Sequence, residues 1–237
     1  MTIKTRIIPV ILWDGHTAVH TVSFGPPQSA GSIQQAISVY GRRTCDELML
    51  LDIAASKERR RPSFNDLRNL SQEIFCPLTI GGGIRSVDDA VQLIRGGADK
   101  VVIGTRAGRT LLRAAEKKLG RQSVVAALDH FPDHLIDAAI ALALYLEHAG
   151  AGEIVLTSTW HQGRREGYNL PLIGAVAEAV KIPVVANGGC GHPQHMLQAL
   201  EAGAHAAAAG TMFAFTQWTP RTCADWLYRH GVKVRLD

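Results

Sequence analysis

Several features that mark special classes of protein are scarce or missing in this sequence. Its 237 residues contain 4 cysteines. These are Cys45, Cys76, Cys190 and Cys223, and no pair has CxxC spacing. That excludes a disulfide framework and a cysteine zinc site, and it suits the reduced thiols of a cytoplasmic protein. The longest apolar run, Ala138 to Leu146, falls far below the roughly 20 residues of a membrane span. It lies between Asp137 and Glu147 and reads as the buried face of a helix. No apolar h-region or small-residue cleavage site follows Met1 to Arg6, so no secretory signal is expected. The charge surplus is small: 25 Lys and Arg against 21 Asp and Glu leaves +4. A nucleic-acid arm would carry more, whereas an anionic small molecule fits this balance. No Walker or Rossmann glycine motif follows a strand, so no nucleotide cofactor is expected. His192 with His195, and His130 with His134 and His161, lack metal-ligand spacing, so no metal is expected either. No Pro- or Ser-rich linker divides the chain, and residues 1–237 read as a single domain.

What is present is an alternation of short apolar strands and amphipathic helices. Strands are predicted at Arg6–Leu12, Glu47–Asp52, Leu78–Ile80, Lys100–Ile103, Ser123–Leu128, Glu153–Ser158, Val184–Ala186 and Ala206–Ala209. They are β-branched or alanine-rich and apolar throughout, as strands covered on both faces should be. Helical patterns lie between them at Ser86–Arg95, Leu170–Val180 and Pro193–Ala202. Ser86 is a predicted N-cap, with Asp88 and Asp89 favourably placed in the first turn. Eight strands, each followed by a helix, close most naturally into a (β/α)8 TIM barrel, for which roughly 250 residues is typical.

An internal repeat supports closure and locates a site. Pro77–Ala107 aligns with Pro183–Phe213 at an offset of 106 residues. Gly82 meets Gly188, Gly83 meets Gly189, Gly97 meets Gly203, Gly104 meets Gly210 and Thr105 meets Thr211. The same offset pairs Glu47 with Glu153. The chain therefore reads as two homologous half-barrels. In such a barrel the loops after the strands build the site. Gly82–Gly83 with Gly104–Thr105 would cradle one phosphate through backbone N–H groups, and Gly188–Gly189 with Gly210–Thr211 another. Tight turns without a ligand are the alternative. Two such seats imply a substrate phosphorylated at each end.

Eight segments carry a family resemblance: RIIPVILWDG, DELMLLDIAAS, TIGGGIRS, GADKVVIGT, GAGEIVLTS, ANGGCG, AAGTMF and HGVKVRLD. In order and spacing they resemble the cyclase subunit of imidazole glycerol phosphate synthase over essentially the whole chain. The resemblance implies a barrel that forms a heterodimer with a glutaminase subunit. It would use that subunit's ammonia to cyclise and cleave a bis-phosphorylated ribotide, with no cofactor. Catalysis there uses two aspartates, at the ends of the first and fifth strands, as general acid and base. Asp129 matches the fifth-strand aspartate. The first-strand position holds Leu12, which cannot transfer a proton. Asp14 could replace it only by swinging inward, and Asp52 matches a further family carboxylate near the site.

Two other departures fall on the same face. Gln162 stands in a loop that is aspartate-rich in the family, and the connection Phe131–Ile136 is short. These changes resemble a divergent branch from surface-polysaccharide gene clusters that helps to build acetamidino sugars. At the other end, Arg6, Glu47, Lys100 and Glu153 match a family ring that gates ammonia entry. Charged, solvated strand starts are the plainer reading of those four. The expected function is thus a divergent cyclase-family barrel acting with glutaminase-derived ammonia on a phosphorylated or nucleotide-linked compound. The alternatives are the synthase subunit itself, or a non-catalytic ammonia conduit. The run Lys57–Arg61 reads as a solvated face, or else as a contact for a phosphate or partner. Trp218, Trp226 and Tyr228 read as packing.

Overall fold

The computed structural model describes residues 4–41, 45–105, 108–131 and 134–236. Residues 1–3 at the amino end, 106–107 at the end of the first repeat, and 132–133 in the short connection after Asp129 lie outside the described residues. The elements are β1 (Arg6–Trp13), β2 (Ala18–His20), β3 (Gln28–Gly31), α1 (Ile33–Gly41), β4 (Leu48–Asp52), α2 (Phe64–Ser71), β5 (Leu78–Gly81) and α3 (Val87–Arg95). There follow β6 (Lys100–Gly104), α4 (Gly108–Leu119), β7 (Val124–Phe131), α5 (Ile136–His148), β8 (Glu153–Ser158), α6 (Leu170–Ala179), β9 (Val184–Asn187), α7 (Pro193–Glu201), β10 (Ala206–Ala209), α8 (Thr211–Phe215) and α9 (Pro220–Arg229).

Eight parallel strands run β1-β4-β5-β6-β7-β8-β9-β10, and β10 pairs back onto β1 from Arg6↔Ala206 to Pro9↔Ala209. The sheet is a closed (β/α)8 barrel, as its pattern predicts. The repeat holds in the fold. α3 and α7 are related by 106 residues at both ends, and so are the starts of β5 and β9. β5 and β9 stand four places apart in a ring of eight, on opposite sides of the barrel.

Strand alternation sorts the apolar residues into two cores. Ile8, Val10, Met49, Val102, Val125, Val155 and Val185 fill the interior, with Ala127, Ala206 and Ala208 where less room is left. Ile7, Ile11, Leu48, Leu50, Ile80, Ile103 and Leu128 point outward and pack beneath the helices. Ser86 caps α3 as expected: its hydroxyl accepts the Asp89 N–H while the Asp89 carboxylate accepts the Ser86 N–H. Such a cap contributes about 1 kcal/mol. In α5 only a stripe (Ala139, Ala143, Leu146) is buried, and Tyr145 is exposed, so the Ala138–Leu146 run is less covered than its composition suggests. Trp218 and Trp226 pack against the core, but Tyr228 is 58% exposed and corrects the expectation of packing there.

The addition to the plain barrel is the β2–β3 hairpin, antiparallel to the end of β1 through Leu12↔Val19 and Trp13↔Ala18. It rises over the carboxyl ends of the strands.

Candidate functional site

The loops at those ends enclose a cavity of about 1000 Å³. Gly82, Gly83, Gly104 and Thr105 line it from one half-barrel, and Gly188, Gly189, Gly210 and Thr211 from the other. The two sets face each other because β5 and β9 are opposite. Close backbone approach explains the glycines. Gly82 has φ +110°, and a Cβ there would stand 2.2 Å from the Asp52 carbonyl oxygen. Its counterpart Gly188 is less crowded, but Gly189 (φ +109°) would place a Cβ 2.0 Å from the Gly167 carbonyl oxygen.

The three carboxylates singled out in the sequence are placed very differently. Asp129, at the end of β7, lines the cavity. Asp52 also borders it but is buried and committed. Arg60 Nη1 and Nη2 reach its two oxygens at 2.6 and 2.8 Å, and the N–H groups of Ala54 and Ala55 donate to Oδ1. Asp14 is not brought into the mouth. Its carboxylate accepts the N–H groups of His16 and Thr17 at 2.9 and 2.8 Å and so shapes the β1–β2 turn. Burial would raise its pKa, but these two donors outweigh that and hold it below the ordinary value. An Asp-Gly turn competes successfully for the side chain. Leu12, on the inward face of β1, extends the apolar interior up to the cavity.

Gln162 is a strut. Its amide oxygen accepts from the Thr21 hydroxyl (3.0 Å) and the Phe24 N–H (3.2 Å), and its carbonyl accepts from the Ser23 N–H (2.8 Å). Arg164 donates to the Ser23 hydroxyl and stacks over Trp160 with 4.0 Å to the ring centroid. The loop after β8 thereby fastens the segment between β2 and β3. A carboxylate at 162 could accept both donors, but as a charge buried beside an apolar wall.

The basic run is not simply a solvated face. Arg60 binds Asp52, and Arg61 binds Asp89 through Nε at 2.6 Å. Lys57, from the run read as a solvated face or a phosphate contact, lines the cavity. Sequence reasoning passed over two further lining residues, Arg85 and His20, the latter with an Nδ1 buried without a partner among the described residues. The signal for Arg85 was its place directly after the first glycine pair. Cys190 borders the cavity too, and burial pushes its thiol up to about 12, leaving it protonated and unreactive at neutral pH. His192 and His195 accept backbone N–H groups of Gln194 and Gly191 through Nδ1, which accounts for that pair locally.

At the opposite end of the barrel Arg6, Glu47, Lys100 and Glu153 meet in a closed ring. Arg6 pairs with Glu47 at 2.5 Å and with Glu153, and Lys100 pairs with Glu47 at 3.0 Å and Glu153 at 2.8 Å. Thr79 donates a further bond to Glu47. Burial would raise the Glu153 pKa, but Arg6 and Lys100 outweigh it and hold the carboxyl below its ordinary value. Burial alone would lower the Arg6 pKa, yet the two glutamates raise it. Cys45 and Cys76 lie just outside this ring, reduced, with sulfurs 3.1 Å apart.

Fold and site together define a duplicated (β/α)8 barrel with a glycine-lined cavity at one end and a salt-bridged base at the other. Comparison with known proteins agrees. A model of the histidine biosynthesis protein family matches residues 6–219. An imidazole glycerol phosphate synthase subunit HisF of Chlorobium phaeobacteroides is 37% identical over 98% of both chains. One from Thermococcus onnurineus is 35% identical over the same shares. A Campylobacter jejuni protein named "Putative imidazole glycerol phosphate synthase subunit hisF2" is 34% identical over 99% of each. The chain belongs to the histidine biosynthesis protein family and, within it, resembles the HisF cyclase subunits. No helix among the described residues is long and apolar enough to cross a membrane.

Proposed function

We propose that this barrel receives ammonia from a glutaminase partner through the ring at its base. It would pass that ammonia to a phosphorylated small molecule held in the mouth. It acts as a divergent paralogue of the synthase cyclase, without the paired-carboxylate chemistry. The ring of four alternating charges is the observation that carries the reading. Two cations and two anions cancel, so the ring can seal the base against water without leaving a net buried charge. Above it the interior is apolar, which suits uncharged ammonia and not ammonium. In the mouth, Asp129 supports proton transfer as one carboxylate. With Leu12 on β1, Asp52 locked to Arg60 and Asp14 held in its turn, no second proton-transferring carboxyl stands in the mouth among the described residues.

Full-length identity of 34–37% to proteins named as synthase subunits favours a second reading, in which the ribotide reaction persists. Complex formation tests what the two share. Co-expression with the glutaminase of the same genome, followed by size-exclusion chromatography, is expected to give a 1:1 complex at micromolar concentration. Lys100→Glu, which breaks the ring, is expected to change ammonia transfer. Failure to form any complex would leave the ring as a structural clasp.

A further inference from the structure

The internal repeat provides a built-in comparison for two of the cysteines. At the offset of 106, Cys45 corresponds to Ala151 and Cys76 to Ile182, just as Glu47 corresponds to Glu153. Ala151 and Ile182 are buried in the apolar core beneath the helices. Packing at these two positions therefore needs no sulfur. The first half-barrel carries there two thiols that touch, with Cys45 Sγ 3.1 Å from Cys76 Sγ.

Backbone pairing holds the two thiols together. β4 and β5 run parallel from the pair Leu48↔Leu78, and the Leu48 N–H donates to the Pro77 carbonyl oxygen at 2.8 Å. The segments that carry Cys45 and Cys76 thus enter the sheet side by side. The Asp46 carboxylate accepts the Ile7 N–H at 2.9 Å, and the Asp99 carboxylate accepts the Leu78 N–H at 2.8 Å. Each segment is thereby also fixed to its outer neighbour.

The pair is reachable. Cys45 and Cys76 are half-buried, and Phe75, next to Cys76, is 83% exposed. Cys190 and Cys223 are buried, and burial keeps their thiols protonated. The Cys45 S–H donates to the Cys76 sulfur. That bond favours the Cys76 thiolate and holds its pKa below the ordinary value, although burial and the Glu47 and Asp99 carboxylates oppose it. The same bond, with burial, raises the Cys45 pKa. Thiolate character and access together select the cysteine that reacts first, and both point to Cys76.

We propose that Cys45 and Cys76 are the site of a reversible disulfide, formed by exchange with a low-molecular-weight disulfide. The Cys76 thiolate attacks one sulfur of that oxidant, whose other half leaves as a thiolate. Cys45 gives up its proton to the departed thiolate and attacks the Cys76 sulfur, expelling the second half. Two protein thiols are oxidised to one disulfide, and the small disulfide is reduced to two thiols. A transient bond of this kind is the form disulfides take where thiols are otherwise kept reduced. It joins the segment leading into Glu47 to the one leading into Thr79, whose hydroxyl donates to Glu47, and so closes beside the ring at the base.

Oxidised glutathione, added at millimolar concentration to the reduced full chain, tests this. Remaining thiols are blocked with a maleimide in denaturant and located by peptide mass. The expected product carries two maleimides, on Cys190 and Cys223, with the Cys45 peptide crosslinked to the Cys76 peptide, and dithiothreitol restores all four thiols. In Cys45→Ser the second thiol is gone, so glutathione is expected to stay on Cys76. Cys76→Ser should take up glutathione at least about tenfold more slowly than Cys45→Ser. Thermal melts check that both variants fold. Four blocked thiols in the wild type, or glutathione that persists on its Cys76, would overturn the proposal and leave the pair as packing, like Ala151 and Ile182.

Discussion

The two ends of this barrel hold their charged residues in different ways. At the base, four charged residues that open β1, β6 and β8 and precede β4 meet as the ring expected from the family resemblance, with both glutamates bridged by both cations. At the mouth, the glycine and threonine framework lines the cavity, while side chains around it are apolar or committed to neighbouring loops. Leu12 is apolar, Gln162 binds a hairpin, and Asp52 and Asp14 are engaged in holding loops. Interlocked charges constrain one another, because replacing any one leaves a buried partner uncompensated. Residues at the mouth are free to change as soon as the ligand changes. Such a difference is what a retained ammonia inlet serving a new reaction would leave behind.

The largest effect on stability is expected from the base. Glu153→Gln leaves Arg6 and Lys100 sharing Glu47, and it should cost about 3 kcal/mol, or roughly 6–12 °C in Tm. The pH dependence has a definite sign. The folded pKa of Glu153 is depressed, so its contribution is present above the unfolded value of 4.5 and is lost as pH falls through the folded one. Urea denaturation between pH 5 and pH 3 should therefore show a smaller loss of stability in Glu153→Gln than in the wild type. Equal losses would break the contrast from the side of the base.

A smaller and more local effect is expected from the strut. Gln162→Ala leaves the Thr21 hydroxyl and the Phe24 N–H without their acceptor, at a cost of about 1–2 kcal/mol. Amide exchange should quicken at Ser23 and Phe24 and stay unchanged in β5. Least of all is expected from the mouth cations. Lys57→Ala and Arg85→Ala should each change stability by less than about 0.5 kcal/mol, because neither side chain has a partner among the described residues. A stability loss of about 2 kcal/mol in either would show that these cations are held like Arg60 and not kept for a ligand.

Much of this was legible in the sequence, for reasons that can be named. Seven of the eight barrel strands lie within about two residues of their predicted ends because burial on both faces makes them uniformly apolar. β7 is the exception and runs on to Phe131. The glycine pairs were visible because backbone contact leaves no other residue type. The β2–β3 hairpin was not legible, since its strands of three and four residues are too short to show a period and β3 is fully exposed. Nor was the pairing of Arg60 with Asp52 and of Arg61 with Asp89. A row of basic residues has the same composition whether it faces water or a carboxylate, and only the path of the loop decides. For Asp14 the neighbouring glycine already indicated the turn that keeps it from the mouth.

The central claim is that the proton-transfer pair is broken while the inlet persists. Its most direct test is turnover of the bis-phosphorylated ribotide with ammonium supplied, beside a relative such as the Chlorobium phaeobacteroides subunit. Loss of one member of an acid–base pair removes about 10²- to 10⁴-fold in rate, so turnover should lie at least about 100-fold below the relative. Robust ammonia-dependent turnover, abolished by Asp129→Asn, would contradict the account and restore the synthase activity to this chain.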